Sequence, residues 1–178
     1  MLGGRLTWSP DPPGSSLNGV SAATDLATEF EATNEAVILF ASARSDKEWQ
    51  QICPGENWPL AGVIRHIAAG YATGQVWIHG YLQSQPIPID PAEIDRHNEA
   101  RAEEYARTST ATALELLAKE GEAVTSLVRG LTDEQLAITH AVLSGRELTT
   151  AQLVKVLVRH TRGHLDNAKS AVRPVGPA

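Results

Sequence analysis

The chain has 178 residues and a mass of 19.1 kDa, with 42% hydrophobic and 20% charged residues, as expected for one ordinary globular domain. A net charge of −6 and a pI of about 5.5 argue against a nucleic-acid partner, and the single cysteine, Cys53, excludes an internal disulfide and a multi-cysteine zinc site. The longest apolar run, Ala36–Ala41, is far shorter than the roughly 20 residues of a membrane span, and residues 1–19 do not resemble a signal peptide. We therefore expect a soluble cytoplasmic protein that does not bind membranes.

Proline and glycine without any hydrophobic period mark the first 19 residues, which we expect to form a flexible arm. Leu6 and Trp8 are candidates for docking this arm onto the domain. Residues 20–173 are predicted to form one compact domain, and residues 174–178 a short C-terminal tail.

Apolar residues at three- and four-residue spacing predict the helices of this domain in chain order. The first helix is predicted over Ser21–Arg44. The second begins at Trp58–Pro59, where proline suits a first helical turn, and continues to about Leu82. Pro86 and Pro88 then stop it and force an extended connection.

The second half of the chain predicts two further helical regions. The third spans Pro91–Gly130 and is expected to break near Thr108–Thr110. Capping boxes at Thr132–Gln135 and Thr149–Gln152 predict a short helix and then the last long helix, over Thr150–Val172. Ala141–Leu148 can form a small turn or hairpin. The predicted fold is an all-α four-helix bundle with long connections.

His160 and His164 lie one turn apart on the last helix, on a predicted apolar stripe with Leu153, Leu157 and Ala168. Burying an unpartnered imidazole costs about 1–3 kcal/mol, and metal ligation removes that cost. The alternative is that one histidine bonds to a core carbonyl while the other reaches solvent at the helix end.

His66, at the edge of the second helix's stripe, is the third candidate. Gly70, one turn later, leaves room beside it. Three imidazoles from two helices would give a metal site with an open position, as in zinc sites that acidify a bound water. We interpret His79, His97 and a loop histidine, His140, as solvated or structural.

Three segments of the chain carry a family resemblance. Trp58–Ala68, WPLAGVIRHIA, resembles the "W-t-x-x-x-x-l-x-H-l-a" segment of the DinB-like superfamily, which includes mycothiol-dependent maleylpyruvate isomerases and bacillithiol-type thiol transferases. His160–His164 resembles its H-x-x-x-H signature, and Asp95–Glu99 its "d-x-x-N" start of the third helix. The resemblance covers about Ser21–Val172. It implies a four-helix bundle in which His66, His160 and His164 bind one divalent ion.

Three functions remain open from the sequence. The first is transfer of a low-molecular-weight thiol, such as mycothiol or bacillithiol, to a small-molecule substrate, or a related isomerisation, with the metal lowering the thiol pKa. The second is metal-dependent hydrolysis, for which Glu56 and Asp166 are the candidate bases. The third is a non-catalytic bundle that binds a small ligand through residues such as Trp49, Trp58 and Trp77.

The remaining interpretations concern the metal, other reactive groups and self-association. Neutral imidazoles accept zinc, nickel, iron or copper, and zinc is the expected ion. Cys53, in a predicted loop, is interpreted as inert, and Arg65 and Arg162 as solvated. Ile38–Phe40, beyond the first helix's stripe, predict a homodimer, the alternative being that they cover the bundle in a monomer.

Overall fold

The structure is a computed structural model that describes residues 21–85, 91–142 and 146–172. The predicted arm with Leu6 and Trp8, the stop at Pro86 and Pro88, and the C-terminal tail lie outside the described residues. The elements within them are helices α1 (Ala22–Ser42), α2 (Asp46–Trp49), α3 (Leu60–Leu82), α4 (Pro91–Ala106), α5 (Thr110–Arg129), α6 (Asp133–Ala137) and α7 (Thr150–Ala171), and strands β1 (Thr139–Val142) and β2 (Arg146–Thr149).

Side-chain caps explain where several of these helices begin. The hydroxyl of Ser21 accepts a hydrogen bond from the backbone N–H of Thr24 at the start of α1. Both predicted capping boxes are present, at the starts of α6 and α7. The predicted break in the third region is also confirmed, since α4 ends at Ala106 and Ser109 caps α5.

Helices α1, α5, α3 and α7 surround one core, each contacting the next in this order and α7 closing the ring on α1. The rings of Phe30 and Tyr71 meet edge to face across this core, with centroids 4.9 Å apart. Between α1 and α5, the Asn34 side-chain amide donates to the carbonyl of Leu117 over 3.2 Å. A Cβ at Gly121 would lie 2.1 Å from that amide nitrogen, so the glycine makes the close approach possible. The predicted all-α four-helix bundle is confirmed.

A small antiparallel hairpin precedes α7, with Thr139 opposite Thr149 and Val142 opposite Arg146. Its strands take in the described part of the predicted hairpin region but begin earlier, at Thr139, so His140 belongs to strand β1 and the prediction of a loop there is wrong. The Nε2 atom of His140 lies 3.0 Å from the carbonyl oxygen of Tyr81. Since a carbonyl only accepts, the imidazole donates and ties the hairpin to the end of α3.

Helix α4 packs against α3, and this pairing is what shapes the candidate site. A Cβ on Gly62, near the start of α3, would lie 3.7 Å from the backbone nitrogen of Ala106, at the end of α4. Ile78, near the end of α3, lines the same cavity as Ile94, near the start of α4, so the two helices run antiparallel. The indole N–H of Trp49 donates to the carbonyl of Thr108 over 2.7 Å and anchors the following turn.

The surface of α1 bears on the expected self-association. Ile38 and Phe40 are partly buried against the bundle core, whereas Leu39 is 71% exposed. The homodimer therefore stays a prediction. Among the described residues, no helix combines the length and apolarity that crossing a membrane requires.

Candidate metal centre

Three histidines meet where α3 passes α7. Ring centroids lie 4.3 Å apart for His160 and His164, 4.8 Å for His66 and His164, and 5.3 Å for His66 and His160. Each ring offers one nitrogen as a possible ligand, and these three atoms lie within 4.8 Å of one another. The structure thus brings together the three residues that the sequence predicts as metal ligands.

The antiparallel packing of α3 and α7 produces this meeting. Gly74 lies against Leu157, and Gly70, one turn earlier on α3, lies against His160, one turn later on α7. A Cβ at Gly70 would stand 3.4 Å from Nε2 of His160. The sequence predicts that Gly70 leaves room beside His66, and in the structure the ring of His160 occupies that room.

The buried stripe of α7 differs from the predicted one. Val154, Val158, Thr161 and Leu165 are buried, which turns the centre of the stripe toward them. The histidines consequently lie at its border and are half-buried, so their predicted place at the centre is wrong. This border position leaves the rings in contact with both the core and the cavities described below.

Glu56 approaches the histidines from a turn that precedes α3. In this turn Pro54 and Gly55 occupy the central positions, and Gly55 has a φ of +83°, which glycine adopts without strain. The N–H groups of Glu56 and Asn57 both point to the carbonyl of Cys53, each at 3.3 Å. The turn thereby directs the Glu56 side chain toward α7.

The carboxylate of Glu56 is held by two residues of α7. Its Oε1 atom lies 2.8 Å from Nδ1 of His164 and 2.7 Å from Nδ2 of Asn167. Burial alone would raise the pKa of Glu56, but the hydrogen bonds from His164 and Asn167 outweigh it and hold the pKa below its usual value. Because an ionised carboxylate only accepts, Nδ1 of His164 carries the proton, which leaves its Nε2 lone pair free for a metal.

The other two histidines lie in surroundings that disfavour protonation. Burial, followed by repulsion from His164 when that ring is protonated, lowers the pKa of His66 to about 4. Burial, followed by repulsion from His164 and then from His66 when those rings are protonated, lowers the pKa of His160 to about 3. Neutral imidazoles are the form that binds metal ions, so the donor set fits a divalent cation.

Two cavities adjoin the histidines. The larger, which we call the apolar chamber, has a volume of about 520 Å³ and lies between α3, α4 and α7. It is lined by His66, Ala69, Gly70, Thr73, Gly74, Trp77, Ile78, Glu93, Ile94, His97, Asn98, Arg101, Tyr105, Leu153, Val156, Leu157 and His160. The smaller, the acidic mouth, has about 370 Å³ and is lined by Glu56, Trp58, His66, Asp95, Asn98, Glu99 and His164. His66 and Asn98 line both.

The structure also shows the surroundings of Cys53 and Asp166, which the sequence offers as candidates for a reactive thiol and for a general base. Cys53 is fully buried, and burial raises its pKa to about 11, which agrees with an inert thiol. Asp166 is 76% exposed, 3.7 Å from Lys169, because two residues after His164 the helix has turned roughly 200° away. It is therefore not placed to act as a base beside the histidines.

The two arginines next to the histidines in sequence have partners of their own. Arg162 pairs with Glu29 at 2.9 Å, and the guanidinium of Arg65 lies over the ring of Tyr105, 4.7 Å from its centroid. Arg65 is thus half-buried rather than fully solvated.

The tryptophans and two of the remaining histidines, His79 and His97, lie in different surroundings. Trp77 lines the apolar chamber and Trp58 the acidic mouth, as proposed for a ligand pocket, while Trp49 is buried in the core. His79 is exposed; His97 is exposed too but lines the chamber.

The sequence did not predict that α4 would line the two cavities. Asp95, Asn98 and Glu99 reach the acidic mouth, and Arg101 and Tyr105 reach the chamber. The "d-x-x-N" resemblance at Asp95–Glu99 is the signal that marks this face in the sequence.

Known proteins resemble this chain in sequence pattern and fold. The sequence model of the DinB superfamily matches residues 29–167. YfiT from Bacillus subtilis, described as "a probable metal-dependent hydrolase with an unusual four-helix bundle topology", is 16% identical with a TM-score of 0.76, over 96% of this chain and 95% of that one. A mycothiol-dependent maleylpyruvate isomerase is 12% identical with a TM-score of 0.69, over 84% of this chain and 61% of that one. These identities establish a shared fold alone, and no curated protein matches significantly.

Proposed function

The chain belongs to the DinB superfamily, and from that premise we propose that it is an enzyme that depends on one divalent ion held by His66, His160 and His164. The observation that carries the proposal is the convergence of three imidazole nitrogens, from two helices, within 4.8 Å. Three protein ligands leave a coordination position open, which is the pattern of catalytic rather than structural zinc sites.

An ion in this site supplies Lewis acidity, which lowers the pKa of a thiol or water that binds beside the histidines. Zinc fits the donor set best, and nickel or iron is compatible with it. The chain's own residues orient the histidine rings and shield them from water. Glu56 fixes the tautomer and ring plane of His164, and Trp58 packs edge to face on His66 with centroids 5.5 Å apart.

For the reaction, we propose that a low-molecular-weight thiol serves as the nucleophile in a transfer or isomerisation. The thiol gives up its proton to water, and its sulfur bonds to an electrophilic carbon. In a transfer, the displaced electron pair departs with the leaving group, which takes up a proton. In an isomerisation, the electron pair moves along the unsaturated substrate and then returns, the carbon–sulfur bond breaks, and the thiol is released unchanged. Among the described residues that line the two cavities, none is cysteine or serine, which supports a nucleophile supplied from outside. The similarity in fold to a mycothiol-dependent isomerase agrees with this proposal.

Hydrolysis is the second candidate, and the position of Glu56 favours it. Its carboxylate borders the acidic mouth beside His66 and His164, where a general base for an attacking water would be required. The name of YfiT, as a probable metal-dependent hydrolase, points the same way. In this case the oxygen of water bonds to the acyl carbon of an ester or amide and Glu56 accepts the water's proton. The bond from the acyl carbon to the alcohol or amine then breaks, and that leaving group takes the proton from Glu56.

Cobalt substitution distinguishes the two reactions. Thiolate ligation to cobalt gives strong charge-transfer bands, so the proposal expects new absorption on adding mycothiol, bacillithiol or glutathione to the untagged cobalt protein, together with thiol-dependent turnover. Turnover of esters or amides without a thiol, and no spectral change with any of the three, would replace thiol transfer by hydrolysis. A protein that binds no divalent ion would instead favour the third function, a non-catalytic ligand-binding bundle.

A further inference from the structure

The walls of the apolar chamber differ sharply in character. Helices α3 and α7 contribute mainly hydrocarbon and glycine surface, including Trp77, Ile78, Leu153 and Val156. Apart from the two histidines and Thr73, the polar lining residues lie on α4. A volume of about 520 Å³ lies within the range of small-molecule sites, and such sites are mostly apolar with few polar groups.

The chamber extends away from the histidines along α3. Because α3 and α7 run antiparallel, Gly70 and His160 lie at one end, and Ile78 and Leu153 lie toward the other. The eight residue steps from Gly70 to Ile78 correspond to roughly 12 Å of helix. A bound molecule with its reacting group at the histidines therefore has an elongated apolar space behind it.

Glycines on α3 allow α7 to pack closely against α3 along this space. A Cβ at Gly74 would lie 2.8 Å from Cδ2 of Leu157, so the glycine lets that leucine pack directly on the α3 backbone, and a larger residue there would push the leucine side chain aside. Arg101 and Glu93, of opposite charge, both lie on the α4 wall. The lining thus presents no excess of one charge to the molecule inside.

Building on the proposed function, we infer that the substrate carries a hydrocarbon body, an alkyl chain of medium length or a ring, that lies in the apolar chamber. Its polar reacting group then lies at His66 and His160. The hydrocarbon supplies binding energy remote from the reacting atoms, and its length selects among substrates.

A series of straight-chain hydroxamates tests this inference, because the head group binds metal ions and the chain length varies independently. Affinities from acetohydroxamate to dodecanohydroxamate would be measured by calorimetry on the zinc-loaded protein and again after chelation. We expect the affinity to rise roughly fourfold per methylene until the chamber is full, with a similar slope in the metal-free protein. A flat series in both forms would overturn the inference.

The same series separates this inference from the proposed function. If zinc strengthens every hydroxamate by one common factor, the head group lies at the metal and both ideas stand. If the slope persists and zinc has no effect, the chamber stands and the metal proposal fails. If zinc strengthens binding and chain length has no effect, the metal proposal stands and the chamber inference fails.

Two matched variants locate the hydrocarbon. Val156→Phe adds a ring to the chamber wall, whereas Val76→Phe adds the same ring at a position on α3 that is 69% exposed. Val156→Phe should weaken dodecanohydroxamate by about tenfold or more and leave acetohydroxamate unchanged, and Val76→Phe should alter neither. Equal effects of the two variants on the long chain would contradict the placement, with melting temperatures confirming that both fold.

Discussion

The Oε1 atom of Glu56 lies 2.8 Å from Nδ1 of His164, although 108 positions separate the two residues in the chain. The histidine side chain is 21% exposed and the glutamate side chain 13%, so the contact is shielded from water. Carboxylate partners of this kind orient metal-binding histidines and raise their basicity. The contact therefore connects the turn before α3 to the chemistry of α7.

Replacing Glu56 by glutamine keeps the shape of this side chain and removes its charge. We expect Glu56→Gln to weaken zinc affinity about 10- to 100-fold, because His164 loses a charged partner. Competition with a chromophoric chelator measures the effect. Glu99→Gln is the matched control, since it removes one charge from the same acidic mouth without a described contact to a histidine. Equal losses in the two variants would show that the effect is only one of net charge.

Removing one of the three imidazoles should abolish stable metal binding. We expect His160→Ala to fall from about one zinc per chain to nearly none, because two protein ligands rarely hold a labile ion. Elemental analysis of protein purified without a histidine tag provides the measurement. His79→Ala removes an exposed histidine and should retain full zinc content. Full occupancy in His160→Ala would disprove the assignment of this ligand.

The lowered pKa values of His66 and His160 predict how acid affects the metal-free protein. Both pKa values, about 4 for His66 and about 3 for His160, lie below the ordinary value of 6.5. Between each lowered value and pH 6.5, the unfolded chain therefore binds more protons than the folded protein. The stabilisation from the neutral rings is complete above pH 6.5 and is lost as the pH falls toward 4 and 3. The loss is at most about 1.4 kcal/mol per pH unit for each histidine.

Urea unfolding at pH 7, 6 and 5 in the presence of a chelator checks this dependence. His160→Ala should show a shallower loss than wild type, since one of the two depressed groups is gone. Equal unfolding free energies at pH 7 and pH 5 in wild type would contradict the assignment.

Burial of Cys53 predicts that the protein's only thiol takes no part in catalysis. With a pKa of about 11, about one thiol in a thousand is ionised at pH 8, and the side chain is fully buried. Ellman's reagent should react slowly with the folded protein and fast in denaturant. Cys53→Ala should retain thiol-dependent turnover. Rapid labelling of the folded protein, or loss of turnover in the variant, would give Cys53 a role that the proposed mechanism does not include.

Local signals explain why the bundle and the three histidines could be predicted from sequence. Capping boxes at Thr132 and Thr149 act within three residues, and the His160–His164 spacing is one helical turn. Tertiary contacts explain what could not be predicted. Glu56 finds His164 only through the packing of its turn on α7, and the border position of the histidines depends on which neighbours cover α7. The face of α4 carries little apolar signal, since its lining role comes from its place beside α3.

X-ray absorption at the zinc edge tests the central claim most directly, because it counts the ligands on the ion itself. The untagged, zinc-loaded protein should show three imidazole nitrogens at about 2.0–2.1 Å and one further light atom, with no sulfur in the absence of added thiol. His79→Ala should give the same spectrum. Fewer than three imidazoles in wild type, or a sulfur at about 2.3 Å, would contradict a site built from His66, His160 and His164.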